Sequence, residues 1–362
     1  MGTLKISVIR LLCGDGSLMS VTTAPPSDST EPQTSHDSTA PGEEKSRGLL
    51  ELRSVFNDIE ETAAPLVASP PVEKFLITVI VVVPLIACGY GGYRLGQYGL
   101  MSWLDLGLLL GGWYATGLGI TVGFHRMLAH RAFDATGPIR YFWMALGSLA
   151  IQGSPLMWCA VHRRHHQCSD KPGDPHSPHL HNGGVWQIIR GFLHSHTGWL
   201  YSPYWTDPRL KKFIPDLMVD KQALAIDRFY YVWIAVSLAL PALIAGLVTW
   251  SWHGAATGFL WGGLVRACVT HHITWSINSV CHVFGKQDYQ AGDASRNNVI
   301  FGFLAHGEGW HNNHHAFPNS ARHGLKWWQF DLSWVLIRGM ERLRLARNVK
   351  VPAANMLSGR RL

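Results

Sequence analysis

An all-α membrane protein with four transmembrane helices in two hairpins is the fold that the sequence predicts. The composition is apolar, because 47% of the residues are hydrophobic and only 15% are charged. Four apolar segments each approach the ~20 residues that a helix needs to cross a hydrocarbon core of ~30 Å. Histidines recur in closely spaced clusters next to these segments. Together these observations indicate a membrane protein that carries a metal site.

The predicted spans cover about 75–93, 100–124, 229–250 and 255–276. A few residues separate the first span from the second, and the segment SWHG separates the third from the fourth, so each pair forms a tight hairpin. Residues 71–345 are therefore assigned to one membrane domain and 346–362 to a C-terminal tail. Residues 1–70 are rich in Ser, Thr, Pro and acidic side chains and lack apolar periodicity, which predicts a disordered tail.

Charge predicts which side of the membrane the clusters face. Two hairpins put both termini and the long 125–228 segment on one side, and that side carries most of the Lys and Arg near the spans. By the positive-inside rule it is the cytoplasm. The six cysteines form no CxxC pair, as expected for a reducing compartment. The net charge of +7 indicates membrane anchoring or an anionic substrate head group rather than a nucleic-acid partner.

Eight histidines form one HxxxxH box and two HxxHH boxes. They are His125 and His130; His162, His165 and His166; and His311, His314 and His315. Positions i, i+3 and i+4 share a helix face, so each HxxHH box projects three imidazoles in one direction. The five-residue spacing of the first box corresponds to about 140° around an ideal helix, so this box requires a helix end or a distortion. After the fourth span, His282 is a further candidate ligand, and Asn278 is a candidate partner for a metal-bound water.

Nine histidines exceed the four ligands of a structural zinc site, so the set predicts two metal ions. Imidazole accepts Zn, Cu, Fe or Ni, which leaves the identity of the metal open. Asp174, Glu308 and Asp293 lie near the boxes and are predicted to orient the rings by accepting from ring N–H groups. The other histidines are predicted to be core, loop, ring-orienting or surface residues: His271 in the core, and His176, His179, His181, His194, His196, His306 and His323 elsewhere.

These motifs resemble those of the membrane fatty acyl desaturases of the acyl-CoA (stearoyl-CoA, Δ9) type. The matching stretches are GITVGFHRMLAHRAF, WCAVHRRHHQCSDKPGDPHSP, HSHTGWLY, TWSINSVCHVFG and GEGWHNNHHAFPNSARHG, in family order within 75–345. The resemblance implies a multi-pass membrane protein whose four spans lie under a cytosolic helical cap that holds two irons. It also implies O2 as co-substrate, a long-chain acyl-CoA as substrate and a cis double bond as product.

The resemblance assigns roles residue by residue. One iron would take His125, His130, His162, His166 and His314, and the other would take His165, His282, His311 and His315, with Asn278 through water. The family limits chain length at the positions of Trp113 and Gly117, which precede His125 by ~18 and ~12 Å along a helix. Ordinary helix packing is the alternative role for this pair. Trp158 and Trp275 resemble aromatic positions that line the family's substrate channel.

The sequence departs from the animal enzymes near the second box. Ala160 stands where they carry Arg, and IQGSPLMW (151–158) is closer to bacterial and cyanobacterial members. An acyl-lipid or acyl-carrier-protein ester is therefore an alternative to acyl-CoA. The sequence contains no haem or iron–sulfur motif, so electrons would come from a separate carrier such as a ferredoxin-like protein, cytochrome b5 or a reductase. A membrane hydroxylase with the same metals, and a metal transporter or sensor, are the rival functions.

Overall fold

The computed structural model describes residues 70–99, 101–180, 184–202 and 208–362. The predicted N-terminal tail lies outside these residues except for Pro70, as do the predicted start of the second span at residue 100 and His181. The α-helices are α1 (Pro70–Tyr98), α2 (Trp103–Leu118), α3 (Gly137–Ser148), α4 (Pro155–Cys168), α5 (Val185–His196), α6 (Lys221–Arg228), α7 (Tyr230–Thr249), α8 (Trp252–Gly258), α9 (Arg266–Ser279), α10 (Val299–Leu304), α11 (His311–Ala316), α12 (Leu332–Arg342) and α13 (Ala354–Gly359). Two π-helical segments, Gly119–Ala129 and Phe259–Val265, continue α2 and α8. Short 3-10 helices cover Gly198–Tyr201, Pro208–Phe213 and Val280–His282.

Three helices in the described part of the chain are long and apolar enough to cross a membrane: Pro71–Tyr98, Trp103–Ala129 and Tyr230–Thr249. Large apolar side chains on them remain exposed, among them Ile86 at 65% and Leu247 at 54%, as a lipid-facing surface requires. The fourth predicted span is helical from Trp252 to Ser279 but does not meet the same standard. Arg266 is one of the polar residues in this segment. Its guanidinium is buried and donates to oxygens of Leu149 and Ser237.

Capping residues set the helix ends at positions that hydropathy alone does not reveal. The Oγ of Ser102 accepts from the Asp105 N–H at 3.1 Å and starts α2. Helix α7 ends at Thr249 and is followed by Trp250, which has a left-handed φ of 47°; the Oγ of Ser251 then accepts from the Gly254 N–H at 2.9 Å to start α8. The turn between α7 and α8 is therefore shorter than the predicted SWHG linker, because α8 begins at Trp252, three residues before the predicted start of the fourth span.

The second span ends in a π-helix, and this supplies the distortion that the HxxxxH spacing requires. The His130 N–H donates to the carbonyl of His125 at 3.0 Å, five residues back. Gly119 allows the segment to pack directly on α3, because a Cβ there would lie 2.3 Å from the Gly147 backbone nitrogen. Phe124 and Leu128 point into the main hydrophobic core, where both are almost fully buried.

A two-stranded antiparallel sheet ties the end of the chain to the helices. Strand β1 (Asp134–Ala135) pairs with β2 (Ala346–Arg347), with Asp134 opposite Arg347. The segment after residue 345, predicted to be a tail, thus contains β2 and α13. Its main chain makes further hydrogen bonds to the rest of the protein, among them Lys350 N to the Ala132 carbonyl at 2.8 Å and Leu362 N to the Asp288 carbonyl at 3.0 Å.

Candidate metal centre

The nine predicted histidines converge in two neighbouring groups, and within each group the ring nitrogens lie within 4.8 Å of one another. The first group contains His125, His130, His162, His166 and His314. The second group contains His165, His282, His311 and His315. These are the same two sets that the resemblance implies. The groups adjoin each other, because the rings of His166 and His315 stack with centroids 4.4 Å apart.

Each HxxHH box contributes to both groups. On α4, His162 and His166 are four residues apart and face the first group, whereas His165 belongs to the second. On α11 the pattern is reversed, because His311 and His315 face the second group and the intervening histidine faces the first. In each group, the i and i+4 histidines of one helix therefore lie beside the i+3 histidine of the other helix. Two helices suffice to build the boundary between the groups.

Carboxylates hold the Nδ1 atoms of four of these rings. The pairs are His125 with Glu308 at 2.7 Å, His165 with Asp174 at 2.9 Å, His282 with Asp170 at 2.9 Å and His315 with Asp293 at 2.6 Å. A ring whose Nδ1–H donates to a carboxylate presents a lone pair at Nε2 when neutral. Asp174, Glu308 and Asp293 thus lie where the sequence analysis expected them. Asp170 was missed, although its position four residues after the second box was a usable signal.

The Nε2 atoms within the groups lie close to one another, and not all of them have a hydrogen-bond partner in the described part of the chain. Short Nε2–Nε2 distances join His130 to His162 at 2.7 Å, His314 to His125 at 3.0 Å, His314 to His166 at 2.8 Å and His282 to His311 at 3.1 Å. In the described part of the chain, the buried Nε2 atoms of His165 and His315 have no hydrogen-bond partner. A buried unsatisfied acceptor costs roughly 1–3 kcal/mol. Metal ions among these lone pairs would remove that cost, so the donor set fits two metals.

The electrostatics of the site favour added positive charge. Burial, and next the neighbouring imidazoles, hold the pKa of rings such as His162 and His311 well below the usual range, so these rings are neutral. Burial also opposes protonation of His165, but Asp174 outweighs it and raises the pKa of His165. For Glu308, burial is outweighed by His125, which with other neighbours holds its pKa well below the usual value.

The count of buried charges agrees with two divalent ions. In the described part of the chain, the side chains that form ion pairs with these rings or with their carboxylates include Asp170, Asp174, Asp293, Glu308 and Asp331, which are acidic, and Arg126, which is basic. With neutral imidazoles, this set leaves four negative charges without a fixed cation. Buried charge of this size is costly unless it is compensated. Two divalent metal ions would carry the matching positive charge.

Arg126 and His323 complete the support of the first group, and only Arg126 was not predicted in such a role. Arg126 is fully buried and bonds Glu308 at 3.1 Å and Asp331 at 2.9 Å. His323, expected in a loop, ring-orienting or surface position, is buried with its Nδ1 3.2 Å from Glu308. Arg126 therefore holds the carboxylate that faces His125, and the His323 ring lies against the same carboxylate. Arg126 follows His125 directly within an apolar segment, and this position was a usable signal for its role.

Two apolar cavities reach these groups. The large cavity, of about 390 Å³, lies between α1, α4, α7 and α9, and the small cavity, of about 50 Å³, lies against α2 and the π-helix after it. Both are lined by Trp158, His162, Thr274 and Asn278, so the cavities adjoin beside the first group. The Trp158 ring stacks on His162 at 4.8 Å.

The other predicted channel residues divide between the cavities. Trp275 lines the large cavity, whereas Trp113 and Gly117 line the small one. His271 lies in the core as predicted, with Nε2 3.0 Å from the Ala150 carbonyl. His306, predicted to be a loop, ring-orienting or surface residue, lies in the turn between α10 and α11, and its side chain is buried and lines the small cavity. Sequence spacing could not reveal this, since His306 reaches the cavity only through the turn before α11.

Comparison with known proteins agrees with this geometry. The family model described as fatty acid desaturase matches residues 101–347. The chain is 44% identical over 264 residues, 72% of this chain and 82% of the relative, to a hex-5-enoyl-(acyl-carrier protein) acetylenase of Moorena producens (strain JHB). It is 41% identical to an sn-1 stearoyl-lipid 9-desaturase of Anabaena variabilis, over 69% of this chain and 85% of the relative. It is 37% identical to an acyl-CoA C20 Delta5-desaturase of Anemone leveillei, over 65% and 70%. The histidine groups thus lie in a chain that belongs to the fatty acid desaturase family.

Proposed function

We propose that this protein uses O2 to introduce a cis double bond into a long-chain fatty acyl thioester, at the Δ9 position. The observation that carries the proposal is the pair of histidine groups whose Nε2 lone pairs converge beside an apolar cavity. Bound there, two irons would supply the oxidising power that an unactivated methylene requires. The reaction removes two hydrogens from the chain, and two electrons from a separate carrier with two protons from solvent complete the reduction of O2 to two waters.

The proposed ligand sets follow the two groups. The first iron would be held by His125, His130, His162, His166 and His314, and the second by His165, His282, His311 and His315, with Asn278 through water. The paired carboxylates would keep each ring in the tautomer that ligation needs. The lining of both cavities by Asn278 is compatible with a water at this position.

The cavities suggest how the acyl chain is held. The large cavity would take the carbons between the head group and the irons, and the small cavity would take the tail. Trp158, stacked on His162, lies where the two cavities adjoin and would fix the reacting carbons beside the first group. An apolar wall keeps water away from the oxidising centre and holds the chain in register, which determines the position of the double bond.

An acyl-lipid ester is the second candidate substrate, and the lining of the large cavity favours it. Glu73 and Asp227 lie in this lining, and in the described part of the chain no Lys or Arg joins them. Phosphates of CoA are normally bound by basic side chains. A neutral glycerolipid head group needs no such contact. The test below therefore also identifies the class of ester that holds the acyl chain.

We further propose that Trp252–Ser279 is the fourth span and that both histidine groups face the cytoplasm. The hairpin turn at Trp250 and Ser251 supports this, because it returns the chain across the membrane within two residues. The excess of Lys and Arg near the other helix ends supports the orientation. An acidic electron carrier would be attracted to that basic surface.

Expression in a desaturase-deficient host tests the proposed function. We expect a new cis double bond in the acyl chains, and mass spectrometry of derivatised chains locates it. Short isotopic labelling identifies the ester class in which the double bond first appears. A hydroxyl in place of the double bond would instead make the protein a hydroxylase. Absence of any new product from inserted, iron-loaded protein would contradict the proposal.

The chain-length profile tests the small cavity as the tail site. Trp113→Ala is expected to shift the products toward longer chains, because loss of the indole enlarges the cavity that Trp113 lines. Leu110→Ala is the matched control, since Leu110 lies one turn earlier on α2 and is 43% exposed. Gas chromatography of the products measures the profile. An identical profile in all three proteins would remove Trp113 from the tail site.

A further inference from the structure

His306 lines the small cavity together with Trp113 and Gly117. Its side chain is 2% exposed, and its ring centroid lies 5.6 Å from that of Trp113. The ring occupies the space beside Gly117, where an added Cβ would lie 2.6 Å from the His306 Cε1 atom. The imidazole therefore forms the wall that an acyl tail would meet after passing the irons.

The backbone holds this imidazole in place. His306 has a φ of 56°, which is uncommon for a residue other than glycine. Its carbonyl accepts from both the backbone N–H of Ser333 at 3.1 Å and the Ser333 hydroxyl at 2.9 Å. A strained conformation persists only where the surroundings determine it. The position of the ring is thus a fixed feature of the cavity wall.

The ring of His306 brings an unsatisfied polar atom to the lining of the small cavity. In the described part of the chain, its buried Nε2 has no hydrogen-bond partner. Burial lowers the pKa of His306 to about 4, so the ring is neutral at physiological pH. The hydroxyls of Thr121 and Thr270 in the same lining do have partners, Ser333 at 2.7 Å and the Arg266 carbonyl at 2.9 Å.

We propose that His306 is a polar stop that selects against acyl tails whose methyl end reaches its ring. A cavity of about 50 Å³ has room for a water molecule, which needs roughly 10–15 Å³. A short tail leaves room for such a water beside the His306 ring. A longer tail displaces the water and leaves the imidazole buried with no partner, which weakens binding. The inference rests on the proposed function, because it requires an acyl tail in this cavity.

The polar role proposed for His306 and the steric role proposed for Trp113 predict different results. Trp113 would limit the tail by its size, whereas His306 would limit it by the hydrogen bond that a methyl group cannot make. A hydroxyl at the far end of the chain should satisfy His306 where a methyl group does not. Leucine has nearly the volume of histidine and no polar atom, so His306→Leu removes the hydrogen bond without enlarging the cavity.

The experiment compares two series of fatty acid methyl esters of increasing chain length. In one series the acyl tail ends in a methyl group (the methyl-ended esters), and in the other it ends in a hydroxyl group (the ω-hydroxy esters). Binding to the purified iron-loaded protein is measured by competition against a radiolabelled ester and does not need turnover. At the length where the tail reaches His306, we expect the ω-hydroxy ester to bind wild type about 10-fold more tightly than the methyl-ended ester. In His306→Leu the preference should disappear and the methyl-ended ester should gain affinity. In His306→Asn, which keeps a polar group, the preference should persist.

Each result bears on the proposal. Equal affinities of the two esters at every length in wild type would overturn the polar stop, even if His306→Leu fails to fold. A preference that survives in folded His306→Leu would overturn it as well. If no ester binds, the cavity is not an acyl site and the polar stop falls with it. A preference found in a protein that makes no double bond would support the stop while the proposed function fails.

Discussion

Alanine in place of His315 is expected to abolish double-bond formation and to lower the iron content of the purified protein by about half, because one of two sites loses a ligand. The Nε2 of His315 is buried without a partner in the described residues, and its Nδ1 bonds Asp293 at 2.6 Å. The substitution thus removes a proposed ligand and also leaves Asp293 without its imidazole. His162→Ala should have the same effect through the first group. Iron is measured by elemental analysis, and product by chromatography.

His253→Ala is the control for these two variants. His253 is exposed on α8 and belongs to neither histidine group. This variant should keep the iron content and activity of wild type, which shows that loss of a histidine alone is harmless. Full activity and full iron content in His315→Ala would mean that the second group does not hold the metal. Full loading with no activity would place His315 in the chemistry but not in metal binding.

Helical periodicity was sufficient to predict that the box histidines converge. The spacing of His162, His165 and His166 indicates one helix face, and the structure has that face on α4. Spacing alone could not divide the ligands between two groups, since the division depends on how α4 and α11 pack. The resemblance supplied it. The π-helix before His130 was predicted only as a distortion, because its hydrogen bonds depend on close packing at Gly119.

The residues whose roles sequence reasoning missed or left open reach the site from loops and turns. Asp170, His306 and His323 lie outside the helical boxes, and no periodicity connects them to their partners. Their places depend on tertiary contacts, such as the hydrogen bond from Ser333 to the His306 carbonyl. Hydropathy likewise located the apolar helices but not their ends, which capping residues such as Ser251 determine.

Arg126→Met is expected to destabilise the protein by about 3–5 kcal/mol, the usual cost of breaking a buried ion pair by removing one partner. Arg126 is fully buried and bonds Glu308, Asp331 and the Ala321 carbonyl. Methionine fills a similar space but leaves both carboxylates without their cation. One of them holds His125, so iron loading of the first group should fall together with stability.

Arg131→Met is the matched control for this substitution. The Arg131 side chain is 58% exposed and pairs with Asp216 at the surface, so its loss should cost less than about 1 kcal/mol. Unfolding of the detergent-solubilised proteins by denaturant measures both differences. If both variants unfold at the same denaturant concentration, the buried pairs of Arg126 do not stabilise the fold. A large difference would instead identify Arg126 as the cation that allows Glu308 to remain ionised beside the first histidine group.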